Sequence, residues 1–245
     1  MFEENIKKYL QKTGYKTFAP KAVMFDMDGV IYNSMPNHAT SWHKAMKRIG
    51  INMPPEEAYL YEGMRGVETI QLLVRQQWNK EISDEKAAEY YKLKSDEFNL
   101  CPQAGIMDGI IRLMQQIKDS GLKILVVTGS AQHTLLDKLD KDLHGLVSRN
   151  LVVCALDVKH GKPNPEPYLK GLEKAGVMPW EAMVVENAPL GVRAGVAANV
   201  FTVAANTGPL PDQKLLGEGA NLLFHSIAEF ADKWKDFYSC ITANE

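Results

Sequence analysis

Two carboxylates separated by one residue, in Asp26-Met27-Asp28-Gly29, close a short apolar run at residues 21–25 (KAVMF). At a strand end this spacing points both acids to the same side. One acid can then attack phosphorus while the other handles a proton. Crowded carboxylates repel one another and call for a cation. Hard oxygen ligands suggest magnesium. A calcium loop would need further acids at alternating positions, where Val30 and Tyr32 stand instead. Taken alone, the tetrapeptide fits a plain turn as well as a catalytic pair.

Three further polar clusters close apolar runs. Thr128-Gly129-Ser130 follows residues 122–127 (LKILVV) and precedes a helical pattern. A hydroxyl beside exposed helix N–H groups can cradle phosphate, though the same triplet also reads as an ordinary helix cap. Lys162 lies in Gly161-Lys162-Pro163-Asn164-Pro165, where two prolines stiffen the loop. A lysine held there can neutralise phosphate; without that context it is a solvated surface residue. Glu186 and Asn187 follow residues 182–185 (AMVV), and both can serve a metal directly or through water. Their plain alternative is again a turn.

The elements that must position these groups alternate in type. The apolar runs 21–25, 122–127, 151–155, 182–185 and 200–203 read as strands, and residues 110–120, 131–139, 165–175 and 190–198 read as helices. Strands alternating with helices predict an α/β fold with a Rossmann-like parallel sheet, buried on both faces. In such sheets ligands bind beyond the C-terminal strand ends, so all four clusters converge on one crevice. Residues 37–100 break the rhythm. Trp42, Ala45, Met46 and Ile49 mark one helical face, and Ile70, Leu73 and Val74 another. This predicts a small α-helical cap at 37–100, inserted in a core made of residues 1–36 and 101–245. The linkers fall near 34–37 and 100–105, punctuated by Pro36, Pro102 and Gly105.

Composition narrows the function. The chain has 245 residues, 45% hydrophobic and 24% charged, with a formal net charge of −2. That balance argues against a nucleic-acid or membrane-surface partner, which would favour a basic face. Cys101, Cys154 and Cys240 lie far apart with no CxxC pair, which fits a reducing cytoplasm and no disulfide framework. No run approaches a membrane span. The N-terminus carries early acids and helical spacing at Phe2, Ile6, Tyr9 and Leu10, an amphipathic helix rather than a signal peptide. A monomer is the default expectation.

The segments DMDGVI, VVTGS, GKPNPEPY and VVENAPLGVRAG stand in the order and spacing of the four motifs of the haloacid dehalogenase superfamily, which this chain resembles after about residue 20. The helical insert after the first motif, with His38 and Trp42, resembles the cap of the β-phosphoglucomutase-like branch. The resemblance implies that Asp26 is the nucleophile and a magnesium ligand, and that Asp28 is the general acid/base with its carbonyl on the metal. It implies that Thr128 and Lys162 hold the phosphoryl group beside Gly129 and Ser130, and that Glu186 and Asn187 complete the metal site. His38 and Arg65 become substrate-contacting candidates at the cap; a lone histidine on an amphipathic helix is otherwise more often partly buried packing.

Two departures refine the reading. The fourth motif usually carries Asp where this chain has Asn187, so another acid must supply charge, and Glu62 in the cap is the candidate. A similar exchange is associated with a Bacteroides-type inorganic pyrophosphatase of this branch, in which Lys94 would also face the phosphates. The mutase cap loop offers two bases to a distal phosphate, whereas Arg65 is followed here by the acid Glu68. The expectation is therefore a magnesium-dependent phosphohydrolase for a small phosphorylated molecule, pyrophosphate first. A hexose-phosphate mutase is the alternative, and a catalytically silent binding domain the third reading.

Overall fold

The computed structural model describes residues 2–130 and 135–242. Among them six strands form one sheet: β1 (Ala22–Phe25), β2 (Lys123–Val127), β3 (Val152–Val153), β4 (Ala182–Glu186), β5 (Phe201–Ala205) and β6 (Leu222–Phe224). All pair in parallel, in the order β3-β2-β1-β4-β5-β6. The strand order reverses between β1 and β4, and that reversal opens the crevice where ligands of such sheets bind.

Strand residues alternate between two apolar layers. Val23, Phe25, Ile124, Val126, Met183 and Val185 enter one core; Ala22, Met24, Leu125, Val127, Ala182 and Val184 enter the other. Helices follow from that division. Helix α1 (Phe2–Thr13) precedes β1; α2 (Met35–Arg48), α3 (Gly66–Trp78) and α4 (Asp84–Asn99) separate β1 from β2. Then come α5 (Ile110–Asp119), α6 (Leu135–Asp142), α7 (Glu166–Ala175), α8 (Pro189–Ala197), α9 (Gln213–Leu216) and α10 (Ile227–Thr242). Helices α1, α5 and α10 cover the first layer, through Tyr9, Leu113, Met114, Phe230, Trp234 and Phe237. The second layer takes α7 and α8, through Tyr168, Leu172 and Ala194.

The helices between β1 and β2 bury a cluster of their own. Trp42 and Met46 of α2 pack with Ile70, Leu73 and Val74 of α3 and Ala87 of α4. A 3-10 turn, Pro55–Tyr59, joins α2 to the segment before α3. Pro36 lies in the first turn of α2 rather than in a linker, a position where its missing N–H costs nothing. The helical run thus begins at Met35, two residues before the expected boundary.

Other departures are small. The third strand is two residues long where 151–155 reads as a strand, because 3-10 turns at Arg149–Leu151 and Ala155–Asp157 flank it. Strand β6 and helix α10 have no counterpart among the expected elements. The expected helix over 131–139 overlaps α6 from Leu135; residues 131–134 lie outside the described residues.

Candidate active site

Parallel pairing brings the four clusters together. Phe25 is in register with both Val126 and Val185, so Asp26, Thr128 and Glu186 all emerge at the same end of the sheet. The Asp26 N–H donates to Val185 O at 3.0 Å, which extends the ladder by one residue and fixes the carboxylate beside β4. Asp26, Thr128, Lys162, Glu186 and Asn187 are all buried.

Lys162 pairs with Asp26 Oδ1 and, at 2.7 Å, with Glu186 Oε1. Burial opposes its charge, yet the two carboxylates hold its ammonium well above the usual lysine range. Burial likewise pushes Asp26 up, and Lys162 pulls it back. Glu186, Glu62 and Asp28 then add repulsion. Glu186 is fully engaged: Oε1 also accepts from Tyr168 OH at 2.7 Å, and Oε2 accepts the N–H groups of Asn187 and Ala188 at 3.0 and 3.3 Å. Beside its expected place in the metal site, Glu186 has a role that these bonds define. It is a brace that sets Lys162 and the start of the Asn187 loop together.

Asp28 belongs to a second network. Its Oδ1 accepts from Ser34 Oγ at 2.5 Å and lies 3.3 Å from His38 Nε2. The other ring nitrogen of His38 is 2.9 Å from Lys94 Nζ. An ammonium only donates, so Nδ1 accepts and Nε2 keeps the proton that faces Asp28. Burial works against ionising Asp28, but His38, Ser34 Oγ and Lys94 overcome it and hold the carboxyl down at about 2. Lys94 is itself buried, its ammonium 4.7 Å from the Phe98 ring and 5.6 Å from the Trp42 ring. That burial pushes its pKa down, while Glu62 and Asp28 draw it back up.

Glu62 and Arg65 sit on the segment between the 3-10 turn and α3. Burial raises the Glu62 pKa and Asp28 adds to that, while His38, Lys94 and Lys162 act against it. Gly63, with φ +86°, rests directly on Lys162: a Cβ there would meet Lys162 Cδ at 2.8 Å. Arg65 donates to Lys159 O at 3.1 Å and lies 4.0 Å from Glu68. A cavity of about 20 Å³ remains, lined by Gly63, Arg65, Thr128, Gly129 and Lys162 among others. That is room for one water. Gly129 closes its wall, while Ser130 N–H donates to Thr128 Oγ1 at 3.1 Å and caps the turn locally.

The donors fit a hard cation. Asp26 Oδ2 and Asn187 Oδ1 are buried with no hydrogen-bond partner among the described residues. Asn187 leans over Gly29, where a Cβ would lie 2.1 Å from Nδ2. Among the described residues no three His, Cys, Asp or Glu side chains form a metal cage. A carboxylate oxygen and an amide oxygen left without partners suit magnesium, which keeps several waters. Sequence reasoning missed Ser34, placed in a linker, and Tyr168, which lies inside the quoted GKPNPEPY segment. It also missed the loop after β5, where Thr207 Oγ1 donates to Gly29 O at 2.6 Å. Applying the strand-end rule to the run at 200–203 would have found that loop.

A family model described as haloacid dehalogenase-like hydrolase matches residues 23–205. Hexitol phosphatase A of Escherichia coli is 30% identical over 209 residues, spanning 85% of this chain and 92% of that protein. The Bacillus subtilis beta-phosphoglucomutase is 25% identical over 231 residues, 89% of this chain and 96% of its own length. A solved structure from Bacteroides vulgatus, provisionally assigned as a beta-phosphoglucomutase, superposes with a TM-score of 0.94 at 51% identity, covering 98% of each chain.

Proposed function

From a chain that belongs to the haloacid dehalogenase-like hydrolases, in their β-phosphoglucomutase-like branch, we propose a magnesium-dependent phosphohydrolase working through an aspartyl-phosphate on Asp26, with pyrophosphate as its first candidate substrate. The carrying observation is the pairing of Asp26 with Lys162 opposite Asp28, under a helical insert closed down on both. An Asp26 oxygen attacks phosphorus and the P–O bond to the leaving group breaks. Lys162 and Thr128 neutralise and orient the phosphoryl oxygens. Phosphoryl transfer asks for little more than such positioning and charge balance. Water then attacks the acyl phosphate, losing a proton to Asp28, and phosphate leaves with Asp26 regenerated.

Magnesium would be held by Asp26, the Asp28 carbonyl and Asn187, with Glu186 beside them, and when bound it supplies charge neutralisation at the transferring group. Asp28, ionised near neutrality, suits the role of base for water. His38 holds that carboxylate through Nε2, and Lys94 fixes the ring. We read residues 37–100 as a cap that lifts to admit substrate, since Asp26 and Lys162 are buried and Gly63 of the insert rests on Lys162. Glu62 is the cap's contribution to a site whose fourth motif carries Asn187 in place of its usual Asp.

The relatives favour a second reading. One named relative is a hexitol phosphatase and another a beta-phosphoglucomutase. Arg65 tied to Lys159 O leaves the cap loop without a second base for a distal phosphate, which speaks for a compact substrate. A screen with magnesium, covering pyrophosphate, hexitol phosphates and glucose 1-phosphate, decides. Phosphate release from pyrophosphate with the highest kcat/KM supports the first reading. Preference for a sugar phosphate, or isomerisation of glucose 1-phosphate, overturns it.

A further inference from the structure

The loop after β5 touches both halves of the site, and the mechanism above makes no use of it. Thr207 Oγ1 donates to the carbonyl of Gly29, the residue after Asp28. The neighbouring Gly208 faces the insert. A Cβ built on Gly208 would meet Tyr59 Cδ1 at 2.7 Å and Cε1 at 2.8 Å, and its three nearest atoms all belong to that ring. Tyr59 ends the 3-10 turn three residues before Glu62 and packs partly against the insert's own core.

The loop is stiff. Asn206 N–H donates to Phe224 O at 2.7 Å, and the Asn206 amide donates to Leu210 O at 2.8 Å and to Asp212 Oδ1 at 2.7 Å. Thr207 N–H donates to Ala205 O at 2.9 Å, and Pro209 and Pro211 fix two φ angles. The face it offers Tyr59 is therefore set by the sheet and does not yield to the insert.

We propose that Gly208 is the stop on which Tyr59 seats when the insert closes, so that this contact sets the depth of Glu62 over Asp26 and Asp28. Tyr59 and Gly208 are positioning residues. They touch no reacting atom, but the closed position of residues 60–65 is referred through them to the same carbonyl, Gly29 O, that borders the acid/base turn. A glycine is required at the stop because the ring lies where a side chain would start. Backbone strain is not the reason, since Gly208 is absent from the positive-φ glycines.

The proposal rests on the phosphohydrolase reading, and the test keeps the two apart by adding a readout that needs no turnover. Gly208→Ala, Tyr59→Ala and the double variant are compared with the full wild-type chain. Hydrogen exchange is followed at the amides of residues 60–66 and 159–162, and hydrolysis of the best substrate from the screen is measured alongside. Gly208→Ala is expected to speed exchange at both segments and to lower kcat/KM about ten-fold, with a cooperative thermal melt retained. Displacing a packed ring by overpacking has effects of that order. In the Tyr59→Ala background the same change is expected to add nothing, because the ring it collides with is gone. Wild-type exchange in Gly208→Ala overturns the stop. So does a Gly208→Ala effect of equal size with and without the Tyr59 ring. If no substrate is turned over, the exchange arm still decides the stop, and only the reading of function falls.

Discussion

The two halves of the site are built differently. The core half stands on strand ends: Asp26 continues β1, Glu186 ends β4, and Lys162 is locked between their carboxylates. Each is almost completely buried and held by at least two partners. The insert half stands on the irregular stretch between Tyr59 and Gly66. Glu62 there is half-buried, and Arg65 is exposed and bonded to a backbone carbonyl. The proposed chemistry thus stands on the sheet, whose strand pairing fixes geometry, and the insert's groups stand on a loop, the kind of segment that a proposed opening would use. His38 and Lys94 are the exception. They sit on helices of the insert, yet His38 reaches Asp28 and Lys94 reaches His38, which couples insert position to the proposed acid/base carboxylate.

If the core half carries the chemistry, its substitutions should dominate. Asp26→Asn is expected to bring turnover below detection, because an amide forms no acyl phosphate. Stability should be retained, since Lys162 keeps Glu186 as a partner. Steady-state phosphate release and a thermal melt check both. Residual activity within about ten-fold of wild type would move the nucleophile elsewhere. Asp28→Asn should lower kcat by roughly 10²–10⁴, the usual contribution of a general acid/base. His38 and Ser34 would remain in place around the amide, so the melt should change little.

Lys162→Met sharpens the comparison in another way, because it strikes stability as well. It strands the Asp26 and Glu186 carboxylates in a buried site. Removing one partner of such a pair costs about 3–5 kcal/mol. A lower denaturation midpoint is expected, together with a kcat reduced about 10²–10³-fold through lost phosphoryl stabilisation. Unchanged stability would show that the pair is not formed in the resting protein.

Much of the core half was legible in the sequence, and for a physical reason. Buried parallel strands must be apolar throughout, so the first polar residue after each run marks the crevice. Asp26, Thr128 and Glu186 follow from that rule. The partner of each side chain is not readable. Glu186 meets Lys162 and Tyr168 because α7 packs across β2, a tertiary fact that no local pattern encodes. Lys94 meets His38 only because α2 and α4 pack together. Strand β6 escaped because three residues, Leu222–Phe224, are too few to show a period. Pro36 was taken for a breaker, since a proline in a first helical turn and one in a linker look alike in sequence.

The smallest expected effect tests the insert half most directly. Glu62 is not committed to a tight pair; its neighbours Asp28 and Asp26 repel it, while His38, Lys94 and Lys162 attract it. Glu62→Gln removes one charge and keeps the shape. Stability should stay within about 0.5 kcal/mol, as for a surface change that leaves no buried charge unpaired. Asn187 brings oxygen without charge, so the acid lost from the insert is the one that would offset the cation there. Half-maximal magnesium should therefore rise several-fold and kcat fall about ten-fold, far less than for Asp26 or Asp28. Asn187→Asp on top should recover magnesium affinity, because the charge returns on the core side, while kcat recovers less, because the insert is no longer drawn down by Glu62. Magnesium titrations of the three proteins read this out. If Glu62→Gln matches wild type in both magnesium dependence and kcat, the insert closes without contributing charge, and its half of the site acts by excluding water alone.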